Sequence, residues 1–372
     1  MSVQLFEPLS LRSVRLPNRV VIAPMCQYSA IDGCAQAWHL AHLGQLALSS
    51  AGLLILEATA VEARGRITPG CLGLYDDACE AALEGVLRMV RSVSPIPLAV
   101  QLAHAGRKAS SGRPWEGGAL IPPHRGGWAP VAPSALALKD GEAPPDELGH
   151  DDLRQIRESF VAAAARADRL GFDAIELHAA HGYLLHQFLS PVANRRTDEY
   201  GGPLDNRMRF PLEIAAALRS AWPAHKALGV RLSATDWIEG SGWHLPEAIE
   251  FARRCETLGV DWIDVSSAGI SPAQKITLSP GYQVPFARAI RESVGIPVMA
   301  VGLITEPKQA EQILADGSAD LIGVARAMLY NPRWVWHAAA ELGASVAAPR
   351  QYWRSQPREH PMLYGETRVA QR

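Results

Sequence analysis

A chain of 372 residues, 48% hydrophobic and 20% charged, is long enough for one large α/β domain or two smaller ones and too apolar to be disordered as a whole. With 36 basic against 38 acidic residues and a formal net charge of −2, it has no general attraction for nucleic acid or for anionic membranes, and neither is expected as a partner. Cys26, Cys34, Cys71, Cys79 and Cys255 are odd in number and form no CxxC, which speaks against a disulfide framework or a zinc ribbon and for a reducing cytoplasm. The N-terminus lacks a basic stretch followed by an apolar one, and no apolar run reaches about 18 residues, so neither export nor a membrane span is expected.

After a segment from Leu5 to Asn18 broken by Pro8 and Pro17, the chain enters Arg19-Val-Val-Ile-Ala-Pro-Met-Cys, which reads as a buried strand. The same grammar recurs from Gly52, Pro97, Phe172, Leu228, Asp261, Ile296 and Asp320. Continuous apolar runs, in place of strict alternation, mark strands covered on both faces, as in a parallel sheet. Between them, Leu153, Ile156, Phe160, Ala164, Ala167 and Leu170 recur at helical spacing, with Gly171 as the stop. Asp205 to Ala221 and His244 to Leu258 read as helices too. Thr305 is expected to cap another, with Pro307 in its first turn and Gly317 at its end. Strand and helix alternating eight times predict an α/β fold, a single (β/α)8 barrel over residues 1–372 with a C-terminal tail from about residue 343. The length beyond the usual ~250 residues is local. It falls in Gly106 to Gly149 and Leu184 to Pro203, both after strands, on the face where such barrels build their sites.

The C-terminal strand ends carry the chemistry. At the last two, Gly302 and then Gly323, Ala325 and Arg326 match the place where barrels hold phosphate: glycine lets backbone N–H groups approach, and arginine offers a fork of donors. The alternative is that the glycines only make turns and Arg326 pairs with a surface carboxylate. At the fourth, Ile175-Glu-Leu-His-Ala-Ala-His-Gly-Tyr puts His178, His181 and Tyr183 within six residues. Such groups can transfer protons, bond a substrate oxygen or, for a His-x-x-His pair, hold a metal. No carboxylate at a strand end joins the histidines, and Lys108, Lys139, Lys226, Lys275 and Lys308 all fall in loops or helices, away from a Schiff-base position. G-x-G-x-x-G and Walker A sequences are both missing. A phosphate-bearing cofactor among amide, imidazole, phenol and guanidinium groups remains, and flavin mononucleotide suits that better than a sugar phosphate. His39 and His42, three apart on a helix after the first strand, are expected on the barrel's outer surface, in a structural role.

Six stretches carry a family resemblance: Asn18-Arg-Val-Val-Ile-Ala-Pro-Met-Cys-Gln-Tyr, Trp38-His-Leu-Ala-His, Gln101-Leu-Ala-His-Ala-Gly-Arg-Lys, Glu176-Leu-His-Ala-Ala-His-Gly-Tyr-Leu, Asn194-Arg-Arg-Thr-Asp-Glu-Tyr-Gly-Gly and Asn206-Arg-Met-Arg-Phe. In this order, from Leu5 to about Tyr330, the chain resembles the Old Yellow Enzymes, flavin-dependent ene-reductases, and among them the bacterial class of xenobiotic reductases and thermophilic-like members. The resemblance implies FMN as cofactor and NADPH, or NADH, as reductant. Pro24, Met25 and Ala58 would lie against the isoalloxazine and Gln101 at its pyrimidine edge. Arg231 would face N1, Cys26 would tune the potential, and Gly302, Gly323, Ala325 and Arg326 would hold the phosphate. His178 and His181 would donate to a substrate carbonyl or nitro oxygen, with Tyr28 also in contact. Flavin N5 would give hydride to the β-carbon and Tyr183 a proton to the α-carbon.

Gln351-Tyr-Trp-Arg near the C-terminus resembles the motif with which thermophilic-like members reach into a neighbouring subunit. It would make Arg354 a substrate contact across a homo-oligomer, a dimer or dimer-based assembly; the alternative is a solvated tail. The expected partners are small molecules, and no metal is expected. Two rival readings stand beside this one, a dihydroorotate-type FMN barrel dehydrogenase and a flavin-binding protein without turnover.

Overall fold

The computed structural model describes residues 3–367; the last five residues of the expected tail lie outside the described residues. Eight strands close a barrel of parallel neighbours: β1 (Val20–Ile22), β2 (Leu53–Ala60), β3 (Leu98–Ala103), β4 (Ala174–Ala179), β5 (Ala227–Ser233), β6 (Trp262–Ser266), β7 (Val298–Ala300) and β8 (Leu321–Val324), with β8 pairing back onto β1. The expected (β/α)8 barrel is the observed fold. Helices alternate with the strands: α1 (Ala37–Ala47), α2 (Asp77–Val93), α3 (His150–Arg169), then a short α4 (Leu184–Leu189) before α5 (Leu204–Ala221), followed by α6 (Leu245–Thr257), α7 (Val284–Arg291), α8 (Pro307–Ala315), α9 (Arg326–Tyr330) and α10 (Trp334–Leu342).

The continuous strand runs have a simple cause. One face packs on the helices, burying residues such as Ile22, Leu54, Leu56, Val100, Ile175 and Leu177, and the other fills the barrel with Val21, Leu53, Ala99, Ala174, Trp262 and Met299. A hairpin of Leu9–Leu11 and Val14–Leu16 joins this inner cluster through Leu11, Val14 and Leu16. Gly229 is there because Trp262 is: a Cβ on it would lie 1.9 Å from the indole. At ~25 cal/mol per Å² of apolar surface, such interior side chains each contribute about 1.5–3 kcal/mol.

Two expectations are corrected. Glu306, not Thr305, is the residue before α8, because Pro307 takes its first position, and Thr305 instead gives its carbonyl to the Trp334 indole at 2.6 Å. His39 and His42 are buried, not on the outer surface, since α1 turns them against β2: His39 Nε2 lies 3.5 Å from Glu57 Oε1. The tail is anchored at Val346, Leu363 and Tyr364, which are buried, with the Trp336 ring meeting those of Tyr352 and Tyr364, whereas Arg354 and most of its neighbours between them are exposed. A groove of about 560 Å³ lined by Asn18, Ser50, Pro97, Ala347 and Trp353 sets this tail beside residues that precede β1, β2 and β3, at the N-terminal end of the barrel. No described helix is long and apolar enough to cross a membrane.

Candidate active site

The site is built where register puts inward-facing polar residues in neighbouring strands. Ala58 pairs with Gln101, Gln101 with Glu176, His178 with Arg231 and Arg231 with Asp264. Gln101 Nε2 donates to Glu176 Oε1 at 2.8 Å, and Trp262 Nε1 reaches the other carboxyl oxygen at 3.4 Å. Arg231 Nε lies 3.0 Å from Asp264 Oδ2. Burial pushes both carboxyls up; Asp264 adds to the rise at Glu176, and Arg231 opposes it at each.

The β4 end then turns sharply. His181 and Gly182 both adopt left-handed backbone, φ +58° and +71°, a conformation costly for histidine and held by its surroundings. The His181 N–H donates to Ser233 Oγ at 2.9 Å and the Gly182 N–H to His186 Nδ1 at 2.9 Å, while His186 Nε2 sits 2.9 Å from the buried Asp236. Tyr183 follows at the start of α4. The turn therefore gathers the three residues singled out from sequence. His178 Nε2 and His181 Nδ1 are 3.3 Å apart, and the His178 ring meets those of His181 and Tyr183 edge-on at 5.1 and 4.9 Å.

Protonation follows from the surroundings. Burial, then the charge of Arg231, hold both imidazoles well below their ordinary value, so they are neutral at pH 7. The Ala180 N–H donates to His178 Nδ1, which leaves the proton of neutral His178 on Nε2. Burial, followed by the neighbouring Cys26, raises Tyr183 well above the usual phenol range and keeps its proton on.

A second wall comes from the segment after β1. The Gln27 N–H donates to Glu57, and Tyr28 is left-handed at φ +53° with its carbonyl held by Arg113 Nε at 3.0 Å. The neighbouring Cys71, then burial, push the Cys26 thiol well above its ordinary value and keep it neutral. Tyr28 meets Trp115 edge-on and shares a cavity of about 450 Å³ with Lys108 and Lys139, so the Gly106 to Gly149 insertion roofs the site. Gly302, at φ +114°, follows β7, and Ala325 and Arg326 begin α9 after β8, Arg326 being exposed. Gly323 has a packing reason of its own, since a Cβ would meet Val301 at 2.5 Å. Arg354 lies in the 3-10 turn Arg350–Ser355 of the tail, at the end of the barrel away from His178 and Tyr183.

These residues fit a flavin mononucleotide. Arg231, almost fully buried, makes no hydrogen bond of normal geometry among the described residues beyond its contact with Asp264, leaving a cation in want of an acceptor. Gln101 Oε1 is a spare acceptor for a ring N–H, since only the amide nitrogen is used. Residues 4–344 match the family model for the NADH:flavin oxidoreductase / NADH oxidase family.

The chain belongs to this family, the Old Yellow Enzymes. It is 41% identical to an NADPH dehydrogenase of Geobacillus thermodenitrificans over 95% of this chain and 99% of that one. To the NADH:flavin oxidoreductase FG08077 of Gibberella zeae it is 43% identical, over 94% of this chain and 88% of the other. Morphinone reductase superposes with a TM-score of 0.76 at 31% identity, covering 92% of this chain and 90% of that one, and a second structure of it holds tetrahydroNAD. This Old Yellow Enzyme is accordingly an FMN-dependent NAD(P)H oxidoreductase.

Sequence reasoning gave no role in the site to Glu176, Asp264, Ser266, Cys71, Trp115 or Lys108. A signal existed for Glu176, two residues before His178 and so on the same inward face of β4. The metal alternative for the histidines gains no carboxylate, since their ring nitrogens face each other, Ala180 and Ser266. The metal-type cluster among the described residues is elsewhere, at His150, Asp198 and Glu199, partly or fully exposed.

Proposed function

We propose that this Old Yellow Enzyme reduces the activated C=C bond of α,β-unsaturated carbonyl or nitro compounds, using NADPH, or NADH, to reduce the flavin in a ping-pong cycle. The observation that carries this is the pair of neutral imidazoles, 3.3 Å apart, beside a protonated phenol. One oxygen can lie within hydrogen-bond reach of both ring nitrogens. His178 presents Nε2–H, and His181 presents Nδ1–H when its Nε2 accepts from Ser266, 2.7 Å away. Two donors on a carbonyl or nitro oxygen stabilise the negative charge that moves there as the β-carbon is attacked. The bound cofactor supplies the hydride. Tyr183 gives its proton to the α-carbon as general acid.

Arg231 and Gln101 would hold the isoalloxazine edge, with Pro24, Met25, Cys26 and Ala58 against the ring, and Gly302, Gly323, Ala325 and Arg326 at the phosphate. Tyr28 would contact the substrate. Arg354 would do so only in a second copy of the chain, given its place at the far end of its own barrel. A dihydroorotate-type dehydrogenase needs a base beside the flavin, whereas the groups here are neutral donors and an acid. The test is anaerobic: flavin reduced by NADPH is mixed with cyclohexenone or a nitroalkene. Reoxidation with formation of the saturated product is expected. A flavin that stays reduced with every activated alkene would favour a binding protein.

A further inference from the structure

Two left-handed dipeptides meet beside Tyr183. One is His181-Gly182; the other is Ala268-Gly269, φ +70° and +97°, after β6. They pack backbone to backbone: a Cβ on Gly182 would lie 2.0 Å from the Gly269 oxygen, and one on Gly269 would lie 2.3 Å from the His181 carbonyl carbon. A single donor joins them. Lys108 Nζ donates to His181 O at 2.8 Å and to Gly269 O at 3.2 Å, and the same ammonium stands 4.9 Å from the centroid of the Tyr183 ring. Arg107 beside it is likewise spent on carbonyls, those of Leu136 and Ile270. No carboxylate among the described residues forms a salt bridge or hydrogen bond with Lys108.

We propose that Lys108 is a positioning residue for the protonation step, clamping the two strained turns so that His181 and Tyr183 keep their geometry, and stabilising by its charge the phenolate that Tyr183 becomes. The inference rests on Tyr183 as the proton donor. In that step the Tyr183 O–H bond breaks, a C–H bond forms at the α-carbon, the electron pair stays on the phenol oxygen, and solvent later restores the proton. Burial makes this anion costly, as the raised phenol value reflects. A desolvated cation at the ring face offsets part of that cost. Lys108 is faced by the Tyr183 ring, by the neutral His178 and His181, and by Arg107 and Lys139; burial, then those two charges, bring it down to about 8. Reoxidation by an alkene should therefore slow as pH rises through about 8.

The test uses FMN-loaded enzyme and three variants. Lys108→Gln keeps a donor for one carbonyl and removes the charge; Lys108→Arg keeps the charge; Lys108→Met removes both. Lys108→Gln is expected to slow reoxidation by cyclohexenone about tenfold, to enlarge its solvent isotope effect and to abolish the fall above pH 8, while flavin affinity and reduction by NADPH stay unchanged. Lys108→Arg should restore most of the rate. Lys108→Met should also raise hydrogen exchange at the Gly182 and Tyr183 amides. In a Tyr183→Phe background, Lys108→Gln should cost much less than it does in the wild type, only the loss through His181 remaining. Wild-type reoxidation in Lys108→Gln, or an equal loss with and without Tyr183, overturns the proposal. If Tyr183→Phe alone leaves reoxidation intact, it is the proton-donor reading that fails, and this inference falls with it.

Discussion

His181 Nε2 and Ser266 Oγ lie 2.7 Å apart, which ties an imidazole from the β4 turn to a hydroxyl at the end of β6. When the hydroxyl donates to His181, 2.7 Å away, in place of Gln283 Oε1 at 3.4 Å, His181 carries its proton on Nδ1, on the side of His178 Nε2 3.3 Å away. Ser266→Ala removes that control. The affinity for a carbonyl ligand, read by titrating the flavin spectrum, should fall about 3- to 10-fold, and Ser266→Thr should recover it. An unchanged affinity would show that His181 holds this tautomer without help.

Tyr183→Phe keeps the edge-on ring contact with His178 and removes only the hydroxyl. Alkene-dependent reoxidation should drop about 100-fold or more, whereas flavin binding and reduction by NADPH should persist. Stopped-flow measurement of the two half-reactions separates them. Full turnover with the phenylalanine would mean that water or another group supplies the proton.

Arg231 is the counter-charge to a buried Asp264 as well as the proposed flavin contact. Arg231→Met should lower apoprotein stability by about 3–5 kcal/mol in urea unfolding, because it strands a carboxylate. Adding Asp264→Asn should recover much of that stability and none of the flavin affinity. Equal recovery of both would make the arginine purely structural.

His42 has a further consequence at low pH. Burial, then His39, push it down to about 4, against about 6.5 in an unfolded chain. Between these values the unfolded state binds a proton that the folded state does not, so this stability is complete above about pH 6.5 and is lost as pH falls toward 4. His42→Leu should flatten that limb of an acid-unfolding curve. It would not abolish it, since His178 and His181 are shifted the same way. An unaltered slope would mean that His42 is not held neutral in the fold.

Periodicity and motif together settled the barrel, the face that carries chemistry and the family, because unbroken apolar strands and helical stripes are local patterns that a linear reading can see. The stretch from Glu176 to Tyr183 was legible in the same way, its groups lying within a few residues. Other partnerships depend on closure. Arg231 meets Asp264, and His181 meets Ser266, only because β4, β5 and β6 stand in one register. Lys108 reads as a loop lysine until the insertion folds back and spends its ammonium on two carbonyls from different strands' ends. His39 and His42 read as a helix surface until α1 packs against β2 and buries them. What sequence alone determined was which residues share an element; only the tertiary structure decided which charges lose their water, and desolvation is what turns those neighbours into neutral donors, a retained phenol proton and an unspent arginine.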